Sequence, residues 1–373
     1  MTDSTKLPDI TRCREDIDAI DRAILSLFEQ RMQVSRDVAA YKYAHHKEVL
    51  DPEREARVLQ DRSQAVRDPL LRQPAVQLFT EIMRLSREEQ YRFLEARLTS
   101  TQVGYNGIPG AFSESAALLF FGEDCKRIPF RTFDEIFSAV ASDEIRYGVV
   151  PVENSTSGPI IDAYDLLGRY ACHIVGEVLV PVSHCLLARP GTTMEDITTV
   201  YSHPQGFTQC QTFLSGHPGW RQVPYFNTAI SAQHVARSEE PGLGAIASEL
   251  AAREYGLCVL QPNIEDVKGN RTRFVVVSAS PRPLGLPDKA TLTFTLKDER
   301  GTLQRALSSF VALGMNLSHI ESRPLPGNRW QYRFYVDLTG NITQESLNVL
   351  VRCLAVDCTS CRVLGSYQAA REV

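Results

Sequence analysis

Glycine is absent from residues 1–98, and this sets the stretch apart from everything that follows. No apolar run in the 373 residues is long enough to span a bilayer, and the N-terminus has no apolar signal core. Neither a membrane nor an export route is therefore expected. No polybasic body advertises nucleic-acid binding, since the formal charge is -5. The nine cysteines read as scattered, with neither a C-x-x-C pair nor zinc-like spacing expected, which points to reduced thiols in a cytoplasm rather than to staples or a metal. His173, His184, His217 and His234 have no metal-ligand spacing either. The GxGxxG of a dinucleotide-binding turn is missing as well. What is present is ordinary for a globular protein, 43% hydrophobic and 23% charged residues. The length suggests two or three domains.

Residues 1–98 are charged and have helical periodicity. Ile10, Ile17, Ile20, Ile24, Leu27, Phe28, Val34 and Val38 fall mostly on one face of a long first helix reaching about Tyr43. Asp51-Pro52 supplies an N-cap acceptor and a first-turn proline for a second helix. A third starts near Pro74. So long a first helix suggests a core completed by a partner. Arg31 and Lys42, eleven residues apart, share an azimuth at a separation of about 16 Å, close enough to converge on a small dianion. Arg14 lies roughly 25 Å from Arg31 along the same helix, so it could join that site only from an antiparallel second chain.

Residues 102–280 alternate short apolar runs with helical stretches and read as α/β. Pro281, Pro283, Gly285 and Pro287 mark a linker. In residues 288–373 the expected order is strand (291–296), helix (302–313), strand (317–323), strand (330–337), helix (342–352) and a last strand, the ferredoxin-like β-α-β-β-α-β arrangement. Polar residues gather at the strand exits of the α/β region: Glu153-Asn154-Ser155, and Ser202-His203-Pro204-Gln205. Such exits cluster at ligand crevices, although capping and turn chemistry explain each of them singly. Thr272 stands between Arg271 and Arg273 at the head of a buried-looking run, Phe274-Val275-Val276-Val277. Two arginines there can clamp an anion, and the hydroxyl can address a leaving group.

Three family resemblances attach to these residues. Residues 10–98 resemble the all-helical chorismate mutase domain through Arg14, Arg31, Lys42, Asp51, Arg54, Glu55, Ser86 and Gln90. The resemblance implies an intertwined dimer in which Arg14 of a second chain and Arg31 grip the carboxylates, Arg54 sits among the anion-binding groups, and Ser86 lines the carboxylate end. Lys42 and Gln90 would address the ether oxygen, and Glu55 with the Asp51 region the ring hydroxyl. Residues 102–280 resemble prephenate dehydratases, with two lobes like type II periplasmic binding proteins, through Glu153-Asn154-Ser155, Ser202-His203-Pro204-Gln205 and Thr272-Arg273-Phe274. Thr272 would lie nearest the departing hydroxyl of prephenate. Arg273 would bind a carboxylate or stabilise the fold, while Asn154, Ser155, Ser202 and Gln205 orient substrate. Glu153 and His203 titrate in principle, and Phe274 would form a wall or core contact.

The C-terminal region resembles the ACT regulatory domain through Gly301-Thr302-Leu303, Asn316-Leu317 and Glu321-Ser322-Arg323-Pro324. Thr302 occupies a position where that family usually has alanine. L-phenylalanine is the implied effector. Together the resemblances imply a bifunctional enzyme that turns chorismate into prephenate and prephenate into phenylpyruvate, with no cofactor and no metal, as a homodimer or a homotetramer. Two alternatives stand beside it: a dehydratase whose helical domain only dimerises, and a non-enzymatic amino-acid sensor. A prephenate dehydrogenase would need the missing dinucleotide turn.

Overall fold

The computed structural model describes residues 9–45, 47, 49–95, 101–325 and 331–371. Residues 1–8, 46, 48 and 96–98 of the expected helical region, and position 330 of the expected strand, lie outside those. The chain forms two compact units, Met1–Arg97 and Leu98–Val373.

In the first unit, α1 (Ile10–Ala44) is capped by Asp9. Next comes α2 (Pro52–Ala65), where the Asp51 side chain accepts from the Arg54 N–H and proline fills the first turn. A short 3-10 turn, Pro69–Leu71, leads into α3 (Arg72–Glu95). Both α1 and α2 pack on α3. On α1 the buried side chains are Met32, Ser35 and Ala39, all in its second half. The first half leaves Ile10, Ile17, Ile20, Ile24 and Leu27 each more than half exposed. A contiguous apolar stripe of this kind marks an interaction surface.

The second unit opens with β1 (Gln102–Asn106), α4 (Phe112–Phe121), β2 (Lys126–Phe130), α5 (Phe133–Ala141), β3 (Tyr147–Asn154), β4 (Gly158–Pro159), α6 (Ile161–Arg169) and β5 (His173–Pro181). The chain then crosses to a second lobe: β6 (Cys185–Ala188), β7 (Thr199–Ser202), α7 (Pro204–Gln209), α8 (Gln211–Ser215), β8 (Arg221–Pro224), α9 (Thr228–Arg237), β9 (Leu243–Ala247), α10 (Glu249–Tyr255) and β10 (Cys258–Gln261). It returns to the first lobe as β11 (Arg271–Ser278). The first sheet runs β2-β1-β3-β11-β5 with β4 on β3, and the second runs β10-β6-β9-β7-β8. Because β11 has strands on both sides and helices over both faces, Val275, Val276 and Val277 are all buried.

The remaining elements are β12 (Lys289–Leu296), α11 (Thr302–Ala312), β13 (Met315–Pro324), β14 (Tyr332–Gly340), α12 (Gln344–Leu354) and β15 (Cys358–Tyr367). Their sheet order, β13-β14-β12-β15, is antiparallel throughout. One face packs Leu292, Phe294, Val336 and Leu338 with Phe310 of α11 and Leu350 of α12. From the other face Tyr335, Leu364 and Tyr367 enter the same core as Val275, Val277, Leu167 and Ile174 of the first lobe. A Cβ on Gly365 would lie 2.0 Å from the Ile174 carbonyl oxygen, so only glycine permits that approach.

The expectation of scattered cysteines overlooks one C-x-x-C spacing, Cys358-Thr359-Ser360-Cys361 on β15. Burial pushes the two thiols up to about 12 and about 11, away from the reactive range. No described helix is long and apolar enough to cross a membrane.

Candidate active sites

In the helical unit Arg31 projects from α1 to α3, where its Nη1 donates to the Ser86 hydroxyl and, at 3.4 Å, to the Ile82 carbonyl. Burial lowers the Arg31 pKa, and the nearby positive charge of Arg62 lowers it further. One turn beyond Ser86, Gln90 is buried and its Oε1 has no hydrogen-bond partner among the described residues. A buried amide oxygen without a partner costs free energy unless a ligand or solvent meets it. Lys42 donates to the Val49 carbonyl at 2.5 Å, at the end of the turn that leads to Asp51. Glu55 of α2 takes both of its oxygens to Arg87 of α3 at 2.6 Å. Arg14 is exposed on the uncovered half of α1, and Arg54 is exposed on the first turn of α2. Arg62 and Arg87 were not singled out by sequence; each acts across helices, through a partner that periodicity alone does not name.

At the dehydratase candidates, the register of β11 against β3 sets Thr272 opposite Asn154. Asn154 Nδ2 donates to Thr272 Oγ1 at 2.9 Å and to the Arg271 carbonyl at 3.2 Å. Asn154 Oδ1 accepts from the backbone N–H groups of Thr156 and Ser157, each at 3.0 Å. Both ends of the amide are thus committed, which fixes its orientation. A hydroxyl oxygen that accepts from Asn154 keeps its own proton to donate. Ser155 accepts from the Arg271 N–H at 2.9 Å and donates to Asn270 Oδ1 at 3.2 Å, tying the two strand ends together.

Side chains alternate along a strand, so Thr272 and Arg273 leave β11 on opposite faces. Thr272 and Phe274 share one side, and Phe274 is buried in the core beside Val103, Ala117 and Val276. On the other side, Arg273 uses all three guanidinium nitrogens within the protein. Nε donates to Glu153 at 3.1 Å, Nη1 to Glu177 at 3.1 Å, and Nη2 to the Tyr164 hydroxyl at 3.2 Å. Nη1 also lies 2.8 Å from Asp337 Oδ2 of β14. That oxygen has no well-aligned hydrogen bond, so the attraction there is ionic rather than directional. Burial alone would lower the Arg273 pKa, but Asp337 and Glu177 hold the guanidinium firmly charged. The pair of arginines around Thr272 is therefore not a clamp that shares a ligand with the hydroxyl.

Ser202 is fully buried and donates to the Ile246 carbonyl at 3.0 Å, which makes it a tie between β7 and β9. His203 caps α7, its Nδ1 accepting from the Gln205 N–H at 3.2 Å, and the Gln205 side chain is exposed. The two lobes also meet where Ser248 donates to the Gly110 carbonyl at 2.9 Å and Tyr255 to that of Pro109 at 2.6 Å. Among the described residues no group of three or more His, Cys, Asp or Glu could hold a metal ion.

In the C-terminal domain Gly301 caps α11 in the left-handed region at φ 80°. Thr302 is buried, and its hydroxyl donates to the carbonyls of Lys297 and Glu299 at 3.2 and 3.1 Å. A concavity of about 570 Å³ is lined by Gly301, Thr302, Leu303, Leu307 and Val311 among others, but not by Asn316, Leu317 or Glu321-Ser322-Arg323-Pro324. Asn316 and Ser322 are exposed along β13, whereas Arg323 turns to Asp165 of α6 at 3.3 Å.

Residues 13–91 match the family model for chorismate mutase type II, and residues 103–282 match that for prephenate dehydratase. A bifunctional chorismate mutase/prephenate dehydratase of Stutzerimonas stutzeri is 33% identical over 365 residues, covering 96% of this chain and 97% of that protein. The prephenate dehydratase of Arthrobacter aurescens, solved in complex with L-Phe, is 33% identical with a TM-score of 0.65 over 72% of this chain and 90% of that one. GqqA, a structure described as a novel type of quorum-quenching acylase, is 30% identical with a TM-score of 0.66 over 72% of this chain and 98% of that one. One fold can carry different chemistry, so fold alone does not settle activity. The likeness along the whole length, helical unit included, does: the chain belongs to the family of bifunctional chorismate mutase/prephenate dehydratases.

Proposed function

We propose that the two reactions run on the two constellations described above, in a homodimer that senses phenylalanine. The chain converts chorismate to prephenate and prephenate to phenylpyruvate. The first step is a unimolecular rearrangement needing a constrained conformer and charge placed where it develops, not a nucleophile. Arg31 and Arg54 take the substrate carboxylates beside Ser86, with Arg14 of a second copy. Lys42 and the buried Gln90 donate to the ether oxygen as its bond breaks, and Glu55 with Asp51 meets the ring hydroxyl. The uncovered apolar stripe on α1 supports this dimer.

For the second step, the observation that carries the reading is the 2.9 Å hydrogen bond from Asn154 to Thr272. It engages the hydroxyl oxygen as an acceptor and leaves its proton free to donate. As the ring carboxylate departs as CO2, its electron pair becomes a ring π bond, and the C4 hydroxyl leaves with its own bonding pair and takes a proton from solvent to become water. Thr272 donates to that oxygen while negative charge builds on it. An unperturbed threonine is a weak acid, so it acts here as hydrogen-bond donor rather than proton source. Ser155 braces the strand ends, and Gln205, exposed at the first turn of α7, offers a further amide to the substrate.

Phenylalanine would bind at Gly301-Thr302-Leu303 and Asn316-Leu317, near Glu321-Ser322-Arg323-Pro324. The Thr302 hydroxyl spends itself on loop carbonyls, leaving backbone groups to the ligand. The test is to feed chorismate to the purified protein and follow prephenate and phenylpyruvate with and without phenylalanine, with its mass measured by light scattering. A dimer is expected, with phenylpyruvate formation slowed by phenylalanine while chorismate loss continues. A monomer, or phenylpyruvate formation indifferent to phenylalanine, would sink the corresponding part.

A further inference from the structure

Whatever holds Arg273 sets the pose of the strand carrying Thr272, because the two are adjacent on β11. Its carboxylate partners come from three strands. Glu153 belongs to β3, next to Asn154; Glu177 belongs to β5; Asp337 belongs to β14 of the C-terminal sheet. Lys289 of β12 completes the group, 2.7 Å from Glu177 and 3.6 Å from Asp337. The Thr291 hydroxyl donates to Asp337 Oδ1 at 2.7 Å and lies 2.7 Å from the Tyr367 hydroxyl. Around the rim, His319 of β13 lies 3.6 Å from Glu153 and 3.2 Å from the Tyr164 hydroxyl.

Arg273, Lys289, Glu177 and Asp337 are all buried. In the interior, removing one partner strands a charge at a cost far above that of a surface pair. A shift of β14 must therefore carry Arg273 with it or strip Arg273 of its nearest anion. The apolar packing of Tyr335, Leu364 and Tyr367 against Val275 and Val277 ties the same two bodies together. The C-terminal sheet and β11 thus share both a charge cluster and an apolar core.

We infer that Asp337 and Lys289 are positioning residues for dehydration, acting through Arg273 on Thr272 and Asn154, and that this cluster is the path by which an occupant of the C-terminal domain changes the dehydratase rate. The inference rests on the reading of that domain as a phenylalanine sensor.

The test uses the full chain with Asp337→Asn, and with Thr291→Val as a milder variant that keeps every charge of the cluster while removing the hydrogen bond to Asp337 and the contact with the Tyr367 hydroxyl. Prephenate turnover is measured with and without phenylalanine, and phenylalanine affinity is measured by calorimetry. Because the proposed ligand contacts lie elsewhere, both variants should bind phenylalanine. Asp337→Asn should lose about tenfold or more in the ratio of uninhibited to inhibited rate, within the range of ordinary allosteric coupling. Thr291→Val should lose less, in the same direction. A purely structural role would lower the unfolding temperature and leave that ratio alone. If Asp337→Asn does not fold, Thr291→Val and Lys289→Gln decide. Wild-type protein inhibited by phenylalanine, with folded variants inhibited equally, overturns the inference. Wild-type protein that neither binds nor responds to phenylalanine overturns the sensor reading first, and the inference with it.

Discussion

Arg31 and Arg273 look alike in sequence and stand in opposite electrostatic situations. Arg31 is half-buried, and its partners among the described residues are a serine hydroxyl and a carbonyl, with the positive charge of Arg62 nearby. Arg273 is 9% exposed and meets three carboxylates and a tyrosine. The first is a charge with no counter-ion among the described residues, which suits its proposed role toward an anionic substrate. The second is already neutralised by the protein. A cation near a proposed site is a ligand group when its charge is unspent, and a brace when it is spent.

The largest effect that sharpens this contrast is on the mutase step. Replacing Arg31 with alanine should lower chorismate turnover by about 10²–10³-fold, the usual cost of one preorganised electrostatic contact. Dehydration of supplied prephenate should be unchanged; a parallel loss would mean that the sites are not separate. Next, Asn154→Ala should slow dehydration by about 10²-fold, by releasing the Thr272 hydroxyl from its fixed donor. Rates within twofold of wild type would remove that hydrogen bond from the mechanism.

Arg273→Lys keeps the charge but loses the fork that reaches Glu153, Glu177 and Tyr164 together. A brace predicts kcat down about tenfold with the KM for prephenate nearly constant; a clamp would raise KM instead.

How far the sequence could show this depends on the reach of each interaction. The α2 start at Asp51-Pro52 was legible because capping is local, and the β-α-β-β-α-β order because each element carries its own periodicity. The alternation separating Thr272 from Arg273 was also within reach, since adjacent residues in a strand must diverge. The partners of Arg273 were not. Glu177 and Asp337 are ordinary acidic residues until β5 and β14 are brought beside β11. Ser202 sits in a motif that looks catalytic, and only the pairing around β9 reveals that its hydroxyl is spent on Ile246. Gln90 shows the converse: a buried amide oxygen without a partner cannot be recognised before the helices pack.

The smallest effect concerns stability. Burial depresses the His184 pKa, while its bond to Gln209 and the charge of Glu265 oppose the shift in part. The unfolded chain therefore binds the proton more readily. This contribution is complete above the ordinary histidine pKa of about 6.5 and is lost as pH falls below it. Thermal unfolding of the Leu98–Val373 unit, followed from pH 7.5 downward, should move to lower temperature with acidification. His184→Gln should flatten that trend, and an identical slope in both proteins would remove His184 as its source.

The central claim is that one chain holds two separable sites, the second organised around Thr272. The most direct measurement supplies chorismate to Thr272→Ala protein and follows prephenate and phenylpyruvate together. Prephenate should accumulate at the wild-type rate, while phenylpyruvate forms at least about 10²-fold more slowly. Equal loss of both products, or phenylpyruvate at the wild-type rate, would contradict the account.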